Sequence, residues 1–572
     1  MIGLVRCRCL MWMLAVPLAC QSIATAQTSD LFSGTLQEPE SLHPLFLGRA
    51  NPIAFGADQA SESIAAVNWV QEAKDVTPAD DGPTMDIPDN LAGDPKRTTV
   101  DDVDDEADDE SDEKDDDDDG EDAKDKLIED LTKRLDAVEE SWEKYQGKLE
   151  KEASDKAKKS YWTMTGRLHM DYWNFLQDSP GIGYFENPDP TEVDDFGQDP
   201  EDRFLFRRLR LEFQGAVPQN MLFRIQIDFN NPQTPEYKDA YIGWSNLPYN
   251  QVLLLGNQKR PMGLDHLNSS RFNVFAERPL AVEAFNEDAR RIGLTMYGHN
   301  DPESVFWAYG LYNLENTSTT GRFIGDSMQL GGYGRLGGSP WYDEVSGGRG
   351  YWHMAVSGAL ARPDGDVNPG DDNDNEARFR TRPLARSDTR WLDTQRIAGA
   401  EWFETIGLES MLNIGSLQIT SEYFFNWVQR DNVTLNTGPD VHFHGGYIFA
   451  SYFLTGEHIP YKRSAGVIDR VKPFENFFLV DRWCRRNGGK RGLGAIAVAL
   501  RYDYLDLTSE DIQGGVGNAI TAGLNWHWTA YSKLQTNLIF GEIDDHRPVG
   551  PAGNQFVSGD FTILGMRFML DF

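Results

Sequence analysis

The sequence predicts an all-β fold: a transmembrane antiparallel β-barrel of 16 strands, preceded by a short coiled-coil helix and a disordered acidic leader. Three observations predict it. The N-terminus carries an export signal, and the 572-residue chain holds no uncharged apolar run of the roughly 18 residues that a membrane-crossing helix needs. From Tyr161 onward apolar and polar residues alternate with a period of two, in segments of about ten residues or more. Globular strands peak at about five or six residues. Lipid leaves no backbone group unpaired, so strands of this kind must close on themselves.

Residues 1–26 read as a secretory signal peptide. Arg6 and Arg8 form its positive end, Leu10 to Ala19 its short apolar stretch, and Ala24-Thr25-Ala26 its small-x-small cleavage pattern. Cys7, Cys9 and Cys20 leave with it. Cys484 then stands alone, which excludes an internal disulfide and a cysteine metal site.

Residues 27–125 form the leader. Its last part, 101–125, carries 18 Asp or Glu against two Lys. Such a block repels itself and stays extended, as a solvated spacer or as a tail for cations or a basic partner. Across 126–159 the period changes: Ile128, Leu131, Leu135, Val138, Trp142, Tyr145 and Leu149 follow spacings of 3, 4, 3, 4, 3, 4. That is an a/d heptad seam, which predicts a helix paired with copies of itself.

Residues 160–572 are the barrel domain. Leu209-Arg210-Leu211-Glu212-Phe213 alternates, and so does Phe223-Arg224-Ile225-Gln226-Ile227-Asp228-Phe229. Leu564, Met566, Phe568, Leu570 and Phe572 share one face of the final strand. Aromatics gather at segment ends, as interfacial girdles do: Tyr172-Trp173, Tyr502 and Tyr504, Trp526 and Trp528, and Tyr531. The predicted strands are 161–175, 203–215, 220–230, 236–246, 251–258, 289–299, 303–313, 327–336, 350–362, 397–412, 415–429, 443–456, 494–508, 516–530, 532–546 and 558–572. Short and long links alternate between them. The connection 457–493 breaks the rule, being long where a short periplasmic turn is expected, and periodicity gives no account of it.

The stretch 254–298 resembles the phosphate-selective porin O/P family. It carries Gly256 through Lys259 and Pro261, then Ser269-Ser270-Arg271, Glu277-Arg278-Pro279 and Arg290-Arg291-Ile292-Gly293. Further blocks are similar to it: Leu454-Thr455-Gly456-Glu457, Arg470-Val471-Lys472-Pro473, Arg501 to Leu507 and Gly523-Leu524-Asn525-Trp526. The resemblance implies a 16-stranded barrel in the outer membrane of a Gram-negative-type bacterium. It also implies a homotrimer, a third external loop folded inward, and 457–493 as a family element. The acidic run 101–125 departs from the family pattern.

The function this implies is passive diffusion of small anions, phosphate among them, through a constriction lined by fixed charge. The link after the fifth strand would be the inward loop; it holds Lys259, Arg260, Arg271 and Arg278, with Arg290 and Arg291 at its end. Alternation adds Arg208, Arg210 and Arg224 on the lumen side, since charge facing lipid costs about 2–4 kcal/mol at the midplane. Guanidinium groups can hold an oxyanion bidentately. Against this, Asp265, Glu277, Glu283, Glu287 and Asp288 share the loop. Residues 160–572 hold 37 Lys and Arg against 52 Asp and Glu, a net of −15. Paired arginines would shape a pore without selecting for anions.

The alternative is a structural outer-membrane anchor that tethers the coiled coil to a periplasmic or cell-wall partner, with an unselective pore. Catalysis is not expected: Gly-x-Ser-x-Gly and His-Glu-x-x-His motifs are missing, and His442 and His444 alternate without a completing constellation. No cofactor, metal or nucleic-acid partner is expected. Outer-membrane lipid is.

Overall fold

A computed structural model describes residues 128–148 and 160–572, apart from 143, 146, 193, 218–219, 232, 288, 318–327, 366–374, 432–436 and 481–491. The predicted signal peptide and acidic leader lie outside the described residues, as does the heptad residue Leu149. The described residues from 128 to 148 are helical. All six seam positions there, Ile128, Leu131, Leu135, Val138, Trp142 and Tyr145, are more than half exposed in the single chain.

Sixteen strands close one barrel. In order they are β1 (Tyr161–Asp178), β2 (Arg203–Val217), β3 (Met221–Asp228), β4 (Glu236–Leu247), β5 (Gln251–Lys259), β6 (Arg290–His299), β7 (Val305–Asn313), β8 (Leu330–Tyr342) and β9 (Gly350–Arg362). They continue with β12 (Ala400–Ile414), β13 (Leu417–Arg430), β14 (Val441–Phe453), β17 (Ala495–Ser509), β18 (Ile512–Thr529), β19 (Ser532–His546) and β20 (Gly559–Asp571). Each pairs antiparallel with its neighbours, and β20 pairs with β1. Two short ladders stand apart: β10 (Arg380–Thr381) with β11 (Leu392–Asp393), and β15 (Tyr461–Lys462) with β16 (Val467–Ile468). Every predicted barrel strand is present; the largest boundary difference is at β8, which runs six residues further.

The wall is inside-out relative to a soluble sheet. Leu209, Ile225, Ile242, Leu294, Leu408, Ile448, Leu500 and Ile520 are exposed on the outside, where lipid covers them. Arg167, His169, Arg208, Arg210, Glu212, Arg224 and Arg567 are buried on the inside. Trp173 differs from the predicted girdle. It is buried against Gly565 and donates to Asp171 Oδ2 at 3.2 Å, while Tyr172 faces out. His442 lies on the outer face of β14 with His444, whose Nδ1 meets the Tyr423 hydroxyl at 2.8 Å.

Described parts of the long connections fold into the barrel. The 260–289 loop, between β5 and β6, is buried almost throughout, and the helix Leu280–Phe285 belongs to it. Phe275, Leu280, Val282 and Phe285 join Phe403, Phe424, Phe443 and Phe449 of the wall in one apolar cluster. Each such side chain contributes about 1.5–3 kcal/mol by leaving water. The 363–399 connection adds Phe379, Leu384, Trp391 and Leu392 to the same cluster. The loops therefore dock by apolar contact, Phe285 and Phe379 on the rings of β12–β14 and Trp391 against Phe175 of β1 and Phe561 of β20. Most of the wall's basic side chains sit on β1–β6.

Candidate functional site: the charged lumen

The cationic wall begins with β1 and β2, and its density depends on a bulge. His169 pairs with Arg208 and Met170 with Phe206, so Arg207 is an extra residue in the ladder. Arg207 and Arg208 consequently both enter the lumen, while Phe206 and Leu209 on either side face lipid. Strict alternation allots only Arg208 of the two to the interior. The signal was present: two arginines between two lipid-facing residues would otherwise put a charge in hydrocarbon.

Most of the predicted residues are brought into this lumen and most are held there by carboxylates or carbonyls. Arg210 donates to Asp228 at 2.7 Å. Arg224 donates to Glu212 at 2.5 Å and lies 3.7 Å from Asp239. Arg290 meets Asp239 at 2.8 Å. Arg291 donates to the carbonyls of Leu314 and Arg290 and lies 3.8 Å from Glu376. Arg260 donates to the Glu287 carbonyl at 2.6 Å and to the Tyr333 hydroxyl at 3.2 Å.

Three others act on the loop itself. Lys259 Nζ donates to the carbonyls of His266 at 2.7 Å and Asn268 at 3.1 Å. Arg278 reaches the Asp265, His266 and Asn268 carbonyls. Arg271 lies 3.6 Å from Asp571. Lys259 and Arg278 fix the curvature of the inward loop, and Arg271 ties it to β20.

Arg208 is the exception. It is buried, its Nη1 meets His169 Nδ1 at 3.4 Å, and no carboxylate among the described residues forms an ion pair with it. Its charged neighbours are Arg207, Arg210 and Arg567, with Glu277 the carboxylate among them. Arg207 is tied to Glu277 of the loop by bonds of 2.7 and 3.0 Å. Burial would raise the Glu277 carboxyl, but Arg207 and Arg567 hold it well below the ordinary carboxylate range.

The 363–399 connection supplies further cations, which spacing does not single out. Arg382 lies 3.5 Å from Glu283, and Arg390 3.0 Å from Glu287. Arg386 has no hydrogen bond or ion pair among the described residues. Burial, with Arg207 and Arg382 nearby, lowers its guanidinium from the ordinary arginine range. Arg378, Arg380 and Arg382 alternate in the sequence, a legible signal of one charged face.

A closed barrel with lipid on one side, a charged lumen on the other and an inward loop defines an outer-membrane channel. The chain belongs to the family described as phosphate-selective porin O and P, which matches residues 189–572. Its place is the outer membrane of a Gram-negative bacterium. An uncharacterized protein of Caulobacter vibrioides is 24% identical over 372 residues, 64% of this chain and 68% of that one. Among solved structures, the anion-selective porin of Comamonas acidovorans is similar with a TM-score of 0.41 and 13% identity, over 72% of this chain and 100% of that one. The outer membrane channel DcaP of Acinetobacter baumannii has a TM-score of 0.41 and 10% identity, over 72% and 98%.

Proposed function

We propose that the barrel passes small anions, phosphate among them, along the arginines of β2 and the 363–399 connection. The observation that carries this reading is Arg208: a buried guanidinium in no ion pair among the described residues, amid Arg207, Arg210 and Arg567, with the one neighbouring carboxylate, Glu277, already taken by Arg207 and Arg567. Burying such a charge unpaired is expensive, and a passing anion supplies the missing partner. Arg207, Arg382 and Arg386 lead toward it. Lys259, Arg260, Arg271, Arg278, Arg290, Arg291, Arg210 and Arg224 shape the constriction and its field. The negative charge of the whole domain does not oppose this, because screening limits its reach to about 8–10 Å.

Purified protein in a planar bilayer under a KCl gradient is expected to give a reversal potential of anionic sign. Added phosphate should lower chloride conductance at millimolar levels or below. A cation-selective pore rejects the reading. A pore that prefers chloride and ignores phosphate leaves only the general anion preference.

The assembly proposed is a homotrimer whose helices over 126–159 pair through the exposed seam. An isolated 126–159 peptide should sediment as an oligomer at equilibrium. A monomer at high concentration would remove the coiled coil.

A further inference from the structure

We infer that Arg335 and Glu409 are positioning residues that seat a second, periplasmic-side constriction beneath the inward loop. The inference rests on the channel reading alone and is independent of anion preference. It arises from the connection between β14 and β17, which alternation could not explain. Rather than turning at the rim, the first half of this connection enters the barrel: Tyr461, Ser464, Ala465, Val467 and Ile468, in and around the β15–β16 hairpin, are all buried.

The hairpin meets the inward loop directly. Ala465 and Val467 form an apolar cluster with Leu267 of that loop. The Ile468 N–H donates to Asn268 Oδ1 at 3.1 Å. Asn268 is also a residue whose carbonyl takes Lys259. Loop and hairpin thus form one body across the lumen, approached from opposite membrane faces.

What holds the hairpin to the wall is a small polar device on β8, β9 and β12. Arg335 Nε donates to Glu409 Oε1 at 3.0 Å, and Nη2 to Oε2 at 2.7 Å. Its remaining donors cap the hairpin turn, reaching the Ala465 carbonyl at 3.0 Å and the Gly466 carbonyl at 2.8 Å. The guanidinium also lies 4.7 Å from the centre of the Phe306 ring. His353 bridges the same two partners, with Nδ1 2.9 Å from the Tyr461 hydroxyl and Nε2 3.3 Å from Glu409 Oε2. Arg335 and Glu409 are both almost wholly buried.

The geometry separates the two roles. Among the described residues Glu409 makes no hydrogen bond to the hairpin backbone; it orients the arginine that does. Backbone carbonyls of a turn accept from a fixed fork of donors, so seating requires the guanidinium plane to be set, which bidentate contact achieves. Just past the hairpin the connection is fixed again, by Arg470 donating to the Ala530 carbonyl at 2.6 Å and to Asp571 at 3.1 Å. A strap held at two walls narrows the water path between them.

The test uses full-length protein in planar bilayers. Arg335→Met and Glu409→Gln should each raise single-channel conductance, by about twofold if cross-section scales it, and the double variant should add little. Replacing residues 461–468 by a short Gly-Ser turn, which leaves every wall residue in place, should give the same rise. In that background Arg335→Met should change nothing further. Unchanged conductance in the turn replacement, with heat-modifiable migration showing a folded barrel, overturns the proposal. So does a rise in the Arg335 variant that persists undiminished once the hairpin is gone. Reversal potentials report on anion preference separately, so failure of one reading is distinguishable from failure of the other.

Discussion

Arg208→Glu is expected to reverse the charge selectivity of the pore without destabilising the barrel. The substitution changes the local charge by two units. At about 8 Å and an effective dielectric constant of ~20, each unit is worth about 2 kcal/mol, before screening reduces it. A remainder of about 1.4 kcal/mol already changes relative permeability about tenfold. The anion-to-cation ratio should therefore fall about tenfold or more, with Arg208→Met giving a smaller drop. Stability should move the other way or stay constant. Among the described residues Arg208 has only a histidine as direct partner, and its arginine neighbours Arg207, Arg210 and Arg567 outnumber the carboxylate Glu277, so an acidic side chain there relieves like-charge crowding. Reversal potentials and the temperature of heat-modifiable unfolding check the two halves. A barrel that collapses with Glu at 208 would make Arg208 part of the scaffold.

Glu422→Ala should do the reverse, weakening the fold and loosening the constriction. Glu422 lies on β13 facing the lumen and accepts from three donors of otherwise separate origin. They are the Leu264 N–H, the Asp265 N–H at 3.0 Å and the Tyr447 hydroxyl at 2.7 Å. Gly263, at φ 84°, turns the chain so that consecutive N–H groups point at the wall, in a conformation that strains any other residue. Its own N–H donates to Ser357 Oγ at 3.2 Å. A buried donor without an acceptor costs about 1–3 kcal/mol, so Ala at 422 should destabilise by about 3 kcal/mol or more in urea titration. Open-channel noise should rise as the loop tip loosens. Glu422→Gln keeps a carbonyl oxygen in place and should lose about 1 kcal/mol. Equal losses for Ala and Gln would show that the clamp is not what seats the loop.

The barrel was legible because its physics is local. Each strand announces itself by a period of two, and lipid and lumen demand opposite chemistry on alternate residues. The charged lumen was legible only in outline. Arg208, Arg210 and Arg224 followed from parity, but parity ends at a bulge, and Arg207 fell on the wrong side of that limit. The loop residues Lys259 and Arg278 were found as cations near a constriction. Their bonds to loop carbonyls depend on loop curvature, which spacing does not encode. Arg382 and Arg386 went unnoticed because the 363–399 connection lacks the period of a strand, although alternating arginines mark its charged face. The inward hairpin at 461–468 gave only a negative sign, a connection too long for its position.

The seam between β1 and β20 has a consequence for how such a pore is built. Asp171 and Arg567, 396 residues apart in the chain, are joined there by a bidentate pair of 2.6 and 2.5 Å. The same arginine takes Glu277 at 2.6 Å. The inward loop thus finds one of its anchors on the last strand to be laid down, so its final seating must await completion of the cylinder. A half-assembled sheet would offer two raw edges and an unfastened loop, which leaves it prone to aggregation and unable to discriminate among solutes. Tying selectivity to the closing joint means that only a finished wall can act as a sieve.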